Sequence, residues 1–232
     1  MFFGNVSLFC ECKLFEHLAT EVTSPLNLES GDLLPLAGVF SLGLFCFALD
    51  KTVNENLAEA RRANLDFFKN ADIMGDGYFT LGASAALYLV GGEKERKTAL
   101  NVVESFIETG LVTGIIKTGF GRRRPDSGFD AFTFEPFGLR DDSFPSGHTA
   151  VAFSTAAVLA KAYDIGIITY PLASFVGLSR MYKEKHWLSD VFFGAVIGTL
   201  IGNIHDDSAK NDMKTYFKYN GTEMSFIIKN KF

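Results

Sequence analysis

The sequence predicts an all-α protein, a six-helix core bundle embedded in a membrane, with an N-terminal arm and a short hairpin-like C-terminal tail. Three observations carry that expectation. Hydrophobic residues make up 47% of the 232 and gather into segments separated by charged loops. Those segments have helix-like lengths and number six between Leu33 and Ile204. Three clusters of basic, serine and histidine residues fall where such segments start or stop, so residues far apart in sequence meet at one end of a bundle. The expected organisation is an arm over 1–32, a helical core over 33–205 and a polar tail over 206–232.

Taken in order, residues 1–32 mix Glu11, Glu16, Glu21, Glu29 and Asp32 with scattered aromatics and read as short helix and loop, with His17 on the surface. Leu33 to Leu49 carries no charge and nearly matches a ~30 Å hydrocarbon layer at ~1.5 Å per residue, a first membrane helix. Asp50 to Asp76 is charged at helical spacing, with Leu57, Ala60, Leu65 and Phe68 as apolar contacts, and reads as an amphipathic connecting helix outside the bilayer. Gly77 to Gly92 is a second apolar segment. Glu93 to Lys97 reads as a polar hinge, and a third helix follows from Thr98 to about Gly119. Its Asn101, Glu104, Ser105 and Glu108 share a face, expected to pack inward because carboxylates are costly in lipid. Gly110 and Gly114 have the spacing that lets helices approach closely. The loop from Phe120 to Asp142 interleaves Phe129, Phe132, Phe134 and Phe137 with Gly, Pro and Asp. A fourth helix is expected from Pro145 to Tyr163, a fifth from Ile165 to Met181, and a sixth from His186 or Trp187 to Ile204. Along the sixth, His186, Asp190, Gly194, Gly198 and Gly202 form a stripe that allows tight backbone packing. Asn220-Gly221, between short apolar runs, is a hairpin signal.

Composition excludes several classes. A net charge of −5 argues against a nucleic-acid binder. Cys10, Cys12 and Cys46 lack the further ligands of a zinc site and read as free thiols. Met1 to Phe9 holds no Lys or Arg, so no cleavable signal is expected and membrane targeting falls to an internal segment. The mean hydropathy of +0.15 sits between a soluble globule and a polytopic membrane protein.

The clusters point to phosphate chemistry. They read Lys117-Thr-Gly-Phe-Gly-Arg-Arg-Arg124-Pro125, Ser143-Phe-Pro145-Ser146-Gly147-His148, and Ser179-Arg180 through His186 to Asp190. If all six segments span, the third ends, the fourth begins, the fifth ends and the sixth begins on one side. Lys117, Arg124 and Arg180 supply point and forked cationic donors. Ser146 and Gly147 sit at a helix N-terminus, where free N–H groups and the dipole favour an anion. Of the two histidines, His186 would attack phosphorus with its ring oriented by Asp190, and His148 would protonate the leaving alkoxide and then activate water. Arginines on a solvated surface and buried, hydrogen-bonded histidines remain the alternative for each residue taken alone.

Lys117-x6-Arg124-Pro125, Pro145-Ser146-Gly147-His148 and Ser179-Arg180-x5-His186-x3-Asp190 resemble the three-part signature of the type 2 phosphatidic acid phosphatase and vanadium haloperoxidase superfamily. Every signature position is matched, and the helical layout is similar from Leu33 to Ile204. The resemblance implies a metal-independent phosphatase working through a phosphohistidine at His186, with His148 as general acid. Arg122 and Arg123 fall outside the signature and receive no role. Layout and cluster spacing look most like the branch of integral membrane lipid phosphatases, acting on a lipid phosphate monoester or diphosphate. The alternatives are a soluble acid phosphatase, a haloperoxidase requiring vanadate, and a non-catalytic membrane anion-binding protein. Under the lipid reading the partners are a lipid phosphate and the membrane. Loop charges lean toward a cytoplasmic tail and an outward-facing site, with Arg61, Arg62, Lys69 and Arg140 pulling the other way.

Overall fold

The computed structural model describes residues 33–62, 70–138, 142–205, 214–219 and 224–229. The expected arm with Cys10, Cys12 and His17, as well as Leu65, Phe68, Arg140 and the Asn220-Gly221 turn, lies outside the described residues. By internal packing the chain forms two units, Met1–Leu44 and Phe45–Phe232, and the division falls inside the first helix.

The described residues form six α-helices: α1 (Leu33–Arg62), α2 (Gly77–Val90), α3 (Glu93–Phe120), α4 (Gly147–Tyr163), α5 (Gly166–Tyr182) and α6 (Leu188–Ile204). Short 3-10 turns cover Ala71–Gly75 and Pro125–Ser127. In the tail, β1 (Lys214–Tyr219) and β2 (Met224–Lys229) pair antiparallel, with Lys214 opposite Lys229 and Tyr219 opposite Met224.

Local chemistry sets the helix ends. Asp76 caps α2 by accepting from the Tyr78 N–H at 2.8 Å. At the start of α3, the Gly92 N–H donates to the Glu95 carboxylate at 2.9 Å, so the stretch expected as a polar hinge is instead the first turn of α3. Gly121 ends α3 in the left-handed region at φ 55°, and its N–H closes on the Lys117 carbonyl. A side chain there would collide with the Glu135 backbone, so both the backbone angle and the close approach call for glycine.

The first helix departs from expectation. It does not stop at Leu49 but continues as one helix to Arg62, and Asp50 is 1% exposed rather than sited on a surface helix. Arg122 lies 2.7 Å from the Asp50 carboxylate, so the charge is satisfied inside the protein and the helix has no reason to end there. Within the first unit, Leu36, Phe40, Leu42 and Leu44 are exposed. In the second unit, Tyr78, Leu89 and Val90 of α2 and Leu100, Leu111 and Ile115 of α3 also face outward. Leu36–Arg62 and Glu93–Phe120 are long and apolar enough to cross a membrane, while α2 and α6 are apolar but shorter.

The core is built on α4, which packs against α3, α5 and α6. Its Ala152 and Ala156 cluster with Ala173 and Val176 of α5, joined by Met74, Phe153 and Tyr170. Against α6 the contact is almost backbone to backbone. A Cβ on Gly194 would lie 2.6 Å from the Ser146 carbonyl oxygen, and Cβ atoms on Gly198 and Gly202 would press still closer on the Ala150 and Ser154 carbonyls. The expected stripe is therefore a packing face. Gly110 and Gly114 behave differently, because a Cβ on either would meet nothing within 4 Å. Despite their spacing, they make no close helix contact within the described residues.

The inward face of α3 is offset from the expected one and shares Ser105 with it. Thr98, Val102, Ser105, Thr109 and Thr113 are buried, and Thr98, Ser105 and Thr113 return their hydroxyl hydrogens to carbonyls of their own helix. Asn101, Glu104 and Glu108 sit beside that face and hold His205 at the end of α6: Asn101 donates to its carbonyl at 3.0 Å, and Glu108 lies 2.8 Å from its Nε2. This is the packing role expected for the set. Cys46 is buried and free, as read.

Substituting Gly198→Ala should therefore destabilise the protein by about 1–3 kcal/mol through overpacking against α4. Gly110→Ala should be neutral or slightly stabilising, since alanine is the better helix former where space is open. Thermal unfolding in detergent of both variants checks the contrast.

Candidate active site

The end of α3 carries Lys117, and the chain beyond Gly121 folds back on itself. Arg123 N–H donates to the Thr133 carbonyl at 3.0 Å, and Glu135 N–H to the Gly121 carbonyl at 2.7 Å, so the Arg122–Arg124 run is held as an extended edge. Lys117 donates to the Asp142 carbonyl, and Arg124 lies 2.6 Å from the Asp142 carboxylate. At the end of α5, Arg180 reaches Asp72 at 3.0 Å, and Lys183 reaches both Asp72 oxygens at 2.7 and 2.8 Å. Burial alone would raise the Asp72 pKa, but the bonds from Lys183 and Arg180 outweigh it and hold the carboxyl below its usual range. Lys117, Arg124, Arg180 and Asp142 lie within electrostatic reach of one another. The cationic residues of the first and third clusters thus share one region.

The second cluster meets them at the N-terminus of α4. Ser146 is the helix cap: its Oγ pairs with Thr149 Oγ1 at 2.8 Å and faces the Thr149 N–H, while its own N–H donates to the Asp190 carbonyl at 2.9 Å. Of the four N–H groups that a helix start leaves without helical partners, those of Gly147 and His148 have no partner among the described residues and are available to an anion. The structure thus employs the Ser146 hydroxyl as a cap rather than leaving it free. The Lys117 stem passes Gly147, where a Cβ would be 3.8 Å from Cε. His148 is half-buried and within electrostatic reach of Arg180 and Lys117.

His186 lies in the loop before α6, 3% exposed. Its Nδ1 is 2.7 Å from the Ser143 carbonyl oxygen. A carbonyl only accepts, so Nδ1 carries the proton and Nε2 keeps its lone pair. Burial drives the His186 pKa from the ordinary 6.5 down to about 4; Lys117 and Arg180 push the same way and Asp190 opposes them. The ring is neutral near pH 7. Asp190 Oδ2 stands 3.7 Å from the same Nδ1, an ion-pair distance, so the expected partner is present but the Ser143 carbonyl makes the shorter contact with the ring. Because α6 begins at Leu188, Asp190 stands in its first turn and folds back to accept from the Trp187 N–H at 2.8 Å, and its Oδ2 also accepts from Ser143 Oγ at 2.6 Å. Ser143 therefore contacts both residues, with its carbonyl on the ring and its hydroxyl on the carboxylate.

Sequence reasoning passed over Ser143, Asp72, Ser189, Asp50 and Arg122. Ser143 stands inside the second cluster, and the unbroken Arg122–Arg124 run, too charged for every member to face one side of an extended segment, was the available signal for Arg122. In an extended segment neighbours point to opposite sides, so Arg122 turns inward to full burial while Arg123 turns out to Glu135 at 2.8 Å. The Phe loop mixes roles. Phe129, Phe132 and Phe137 are exposed, Arg123 stacks on Phe129 at 4.6 Å, and Phe134 packs on Phe120 at 6.4 Å.

Residues 98–206 match the family described as the PAP2 superfamily. The lipid A 1-phosphatase of Porphyromonas gingivalis is 33% identical over 143 residues, which are 55% of this chain and 30% of that protein. The crystal structure of Aquifex aeolicus LpxE is similar with a TM-score of 0.52 and 27% identity, covering 68% of this chain and 94% of that one. A transmembrane PAP2-type phosphatidylglycerolphosphate phosphatase from Bacillus subtilis shares the fold, with a TM-score of 0.54 at 21% identity over 73% of this chain and 92% of that one.

The depressed His186 pKa makes a signed prediction. Between about pH 6.5 and 4 the unfolded chain binds a proton that the folded chain lacks. The stabilisation from His186 is therefore complete above about 6.5 and lost as pH falls through about 4. His186→Asn, a neutral residue whose amide can still donate to Ser143, should flatten that part of the stability–pH curve measured in detergent.

Proposed function

We propose, from the match of residues 98–206 to the PAP2 superfamily, that the chain is a membrane lipid phosphatase working through a phosphohistidine at His186. The observation that carries the proposal is the 2.7 Å bond from His186 Nδ1–H to the Ser143 carbonyl, which fixes the tautomer and leaves Nε2 as a neutral nucleophile. Lys117, Arg124, Arg180 and the N–H groups of Gly147 and His148 are the donors that would hold the phosphoryl oxygens.

In this mechanism Nε2 attacks phosphorus as the phosphorus–oxygen bond to the lipid breaks, and His148 gives a proton to the departing alkoxide. The phosphorylated ring is cationic, so its Nδ1–H bond to Ser143 strengthens and Asp190, 3.7 Å away, stabilises the charge. His148, now neutral, takes a proton from water as the water oxygen attacks phosphorus. The phosphorus–nitrogen bond breaks, inorganic phosphate leaves and the neutral ring returns. No step calls on a metal ion.

The lipid reading draws support from the exposed apolar rows of α2 and α3 and from the two helices long enough to cross a membrane. The proposed setting is a multi-pass protein with the site facing outward. Lipid A 1-phosphate is the first substrate to test, because the Porphyromonas relative is named for that activity.

His186→Ala should lower phosphate release by about 10⁴-fold or more with folding intact. His148→Ala should cost about 10²–10⁴-fold on an alkyl phosphate lipid and much less on an aryl phosphate, whose leaving group needs no proton. The wild-type acid limb of kcat/KM should lie near pH 4, where His186 protonates. Release from lipid A 1-phosphate, phosphatidate, phosphatidylglycerophosphate, undecaprenyl diphosphate and an aryl phosphate, with chelator present, checks all three. Equal His148→Ala losses across leaving groups would count against the acid role.

A further inference from the structure

Behind Asp190 lies a second ionic layer that the phosphate-binding residues do not touch. Arg122 is 0% exposed, and all of its N–H hydrogens are engaged. Nε and Nη2 donate to the Ala131 carbonyl at 2.9 and 2.6 Å, Nη2 to Asp50 Oδ2 at 2.7 Å, and Nη1 to Ser189 Oγ at 2.7 Å and Asp190 Oδ1 at 2.6 Å. Phe47, Phe134 and Trp187 surround the guanidinium at 4.6, 5.5 and 5.6 Å, so no water layer separates it from its partners. Asp50 in turn accepts from the Ser189 N–H at 2.8 Å and the Ser189 hydroxyl at 2.7 Å, tying α1 to the first turn of α6.

The charges of this layer are informative. Arg122 alone would neutralise Asp190 and cancel its help to a cationic ring. Asp50 supplies a second carboxylate, so the buried set of one cation and two anions retains one negative charge beside neutral His186. Breaking such a set is expensive, because the remaining charge stays buried.

We propose that Asp50 and Arg122 are positioning residues for the nucleophile: Arg122 fixes the Asp190 carboxylate behind His186, and Asp50 absorbs the arginine charge so that Asp190 keeps its own for the phosphorylated ring. The inference rests on His186 being the nucleophile. Asp50 lies outside the segment matched to the superfamily, so α1 completes a site that residues 98–206 only partly contain. His186 also feels Lys117 from α3 and Arg180 from α5, and neither is altered in the test.

The test compares Asp50→Asn, Arg122→Met, the double variant, Arg122→Lys and His186→Ala, all full-length and in detergent, on whichever lipid phosphate the wild type turns over. Asp50→Asn removes a negative charge, so kcat should fall about 10–100-fold with KM little changed, the size found when a metal-bound histidine loses its outer hydrogen-bonding partner. Its acid limb should move to lower pH. Arg122→Met removes the positive charge and should move that limb to higher pH, each shift being about half a unit or more. The double variant should return the limb toward its wild-type position even if it is less stable. A purely structural role moves stability and leaves the limbs together. Arg122→Lys keeps the charge and loses the fork, so its limb should stay near wild type while kcat falls; if Arg122→Met does not fold, this variant and Asp50→Asn carry the comparison. Coincident acid limbs and wild-type kcat in Asp50→Asn would overturn the inference while His186→Ala remained inactive. Turnover by His186→Ala would instead overturn the nucleophile assignment beneath it.

Discussion

The contact between α4 and α6 is the constraint on which the site depends, because it removes side chains from the space between two helices. With glycine at 194, 198 and 202, the α6 backbone rests on the Ser146, Ala150 and Ser154 carbonyls. The two helices start beside each other at this contact, and the Ser146 N–H reaches the Asp190 carbonyl at 2.9 Å. Placing Ser146 there also places Ser143, three residues earlier, where its carbonyl meets the His186 ring and its hydroxyl meets Asp190. Both helix starts bring the positive ends of their dipoles to the same region, which favours an anion held between them. A larger residue on the stripe would therefore disturb the ring and the proposed anion site together.

Two kinds of ion pair surround that region, and their exposure separates them. Arg124 pairs with Asp142, whose side chain is 50% exposed. A pair of that sort is held weakly and is easily exchanged. Under the proposed function an incoming phosphate takes the place of the Asp142 carboxylate on Arg124. Arg122 pairs with two carboxylates that are 0% exposed, and an arriving substrate has no means of displacing them. The outer cations are thus suited to contacting a ligand, and the inner one to holding protein groups still. Asp72 stands between these cases, since it grips both Arg180 and Lys183 from the 3-10 turn ahead of α2.

Much of the helical frame was legible, because apolar segments broken by Gly, Pro and charge mark helices at this scale. The glycine stripe of α6 was legible for the same reason, as four-residue spacing has a direct geometric meaning. What failed depended on partners distant in sequence. Asp50 follows an uncharged run and so reads as the point where a helix leaves the membrane; only the approach of Arg122, 72 residues away, shows it as an internal charge. Asp190 does stand 3.7 Å from His186, but not by the helical spacing expected, since α6 begins between the two, and the shorter contact to the ring comes from Ser143, 43 residues away. Gly110 and Gly114 have the spacing of a contact motif without a contact. Ser143 stands in the second cluster, but its contact with His186 had no sequence signature, since it is made by a backbone carbonyl that any residue possesses.

The central claim is that His186 carries the phosphoryl group during turnover. The direct measurement is to quench the detergent-purified protein in alkali during turnover of a phosphorus-labelled lipid phosphate, and to locate the label by peptide mass spectrometry. The account predicts an acid-labile, alkali-stable phosphoryl group on His186, absent from His186→Ala. Turnover with no label on His186 at any quench time, or label on another residue that persists in His186→Ala, would contradict it.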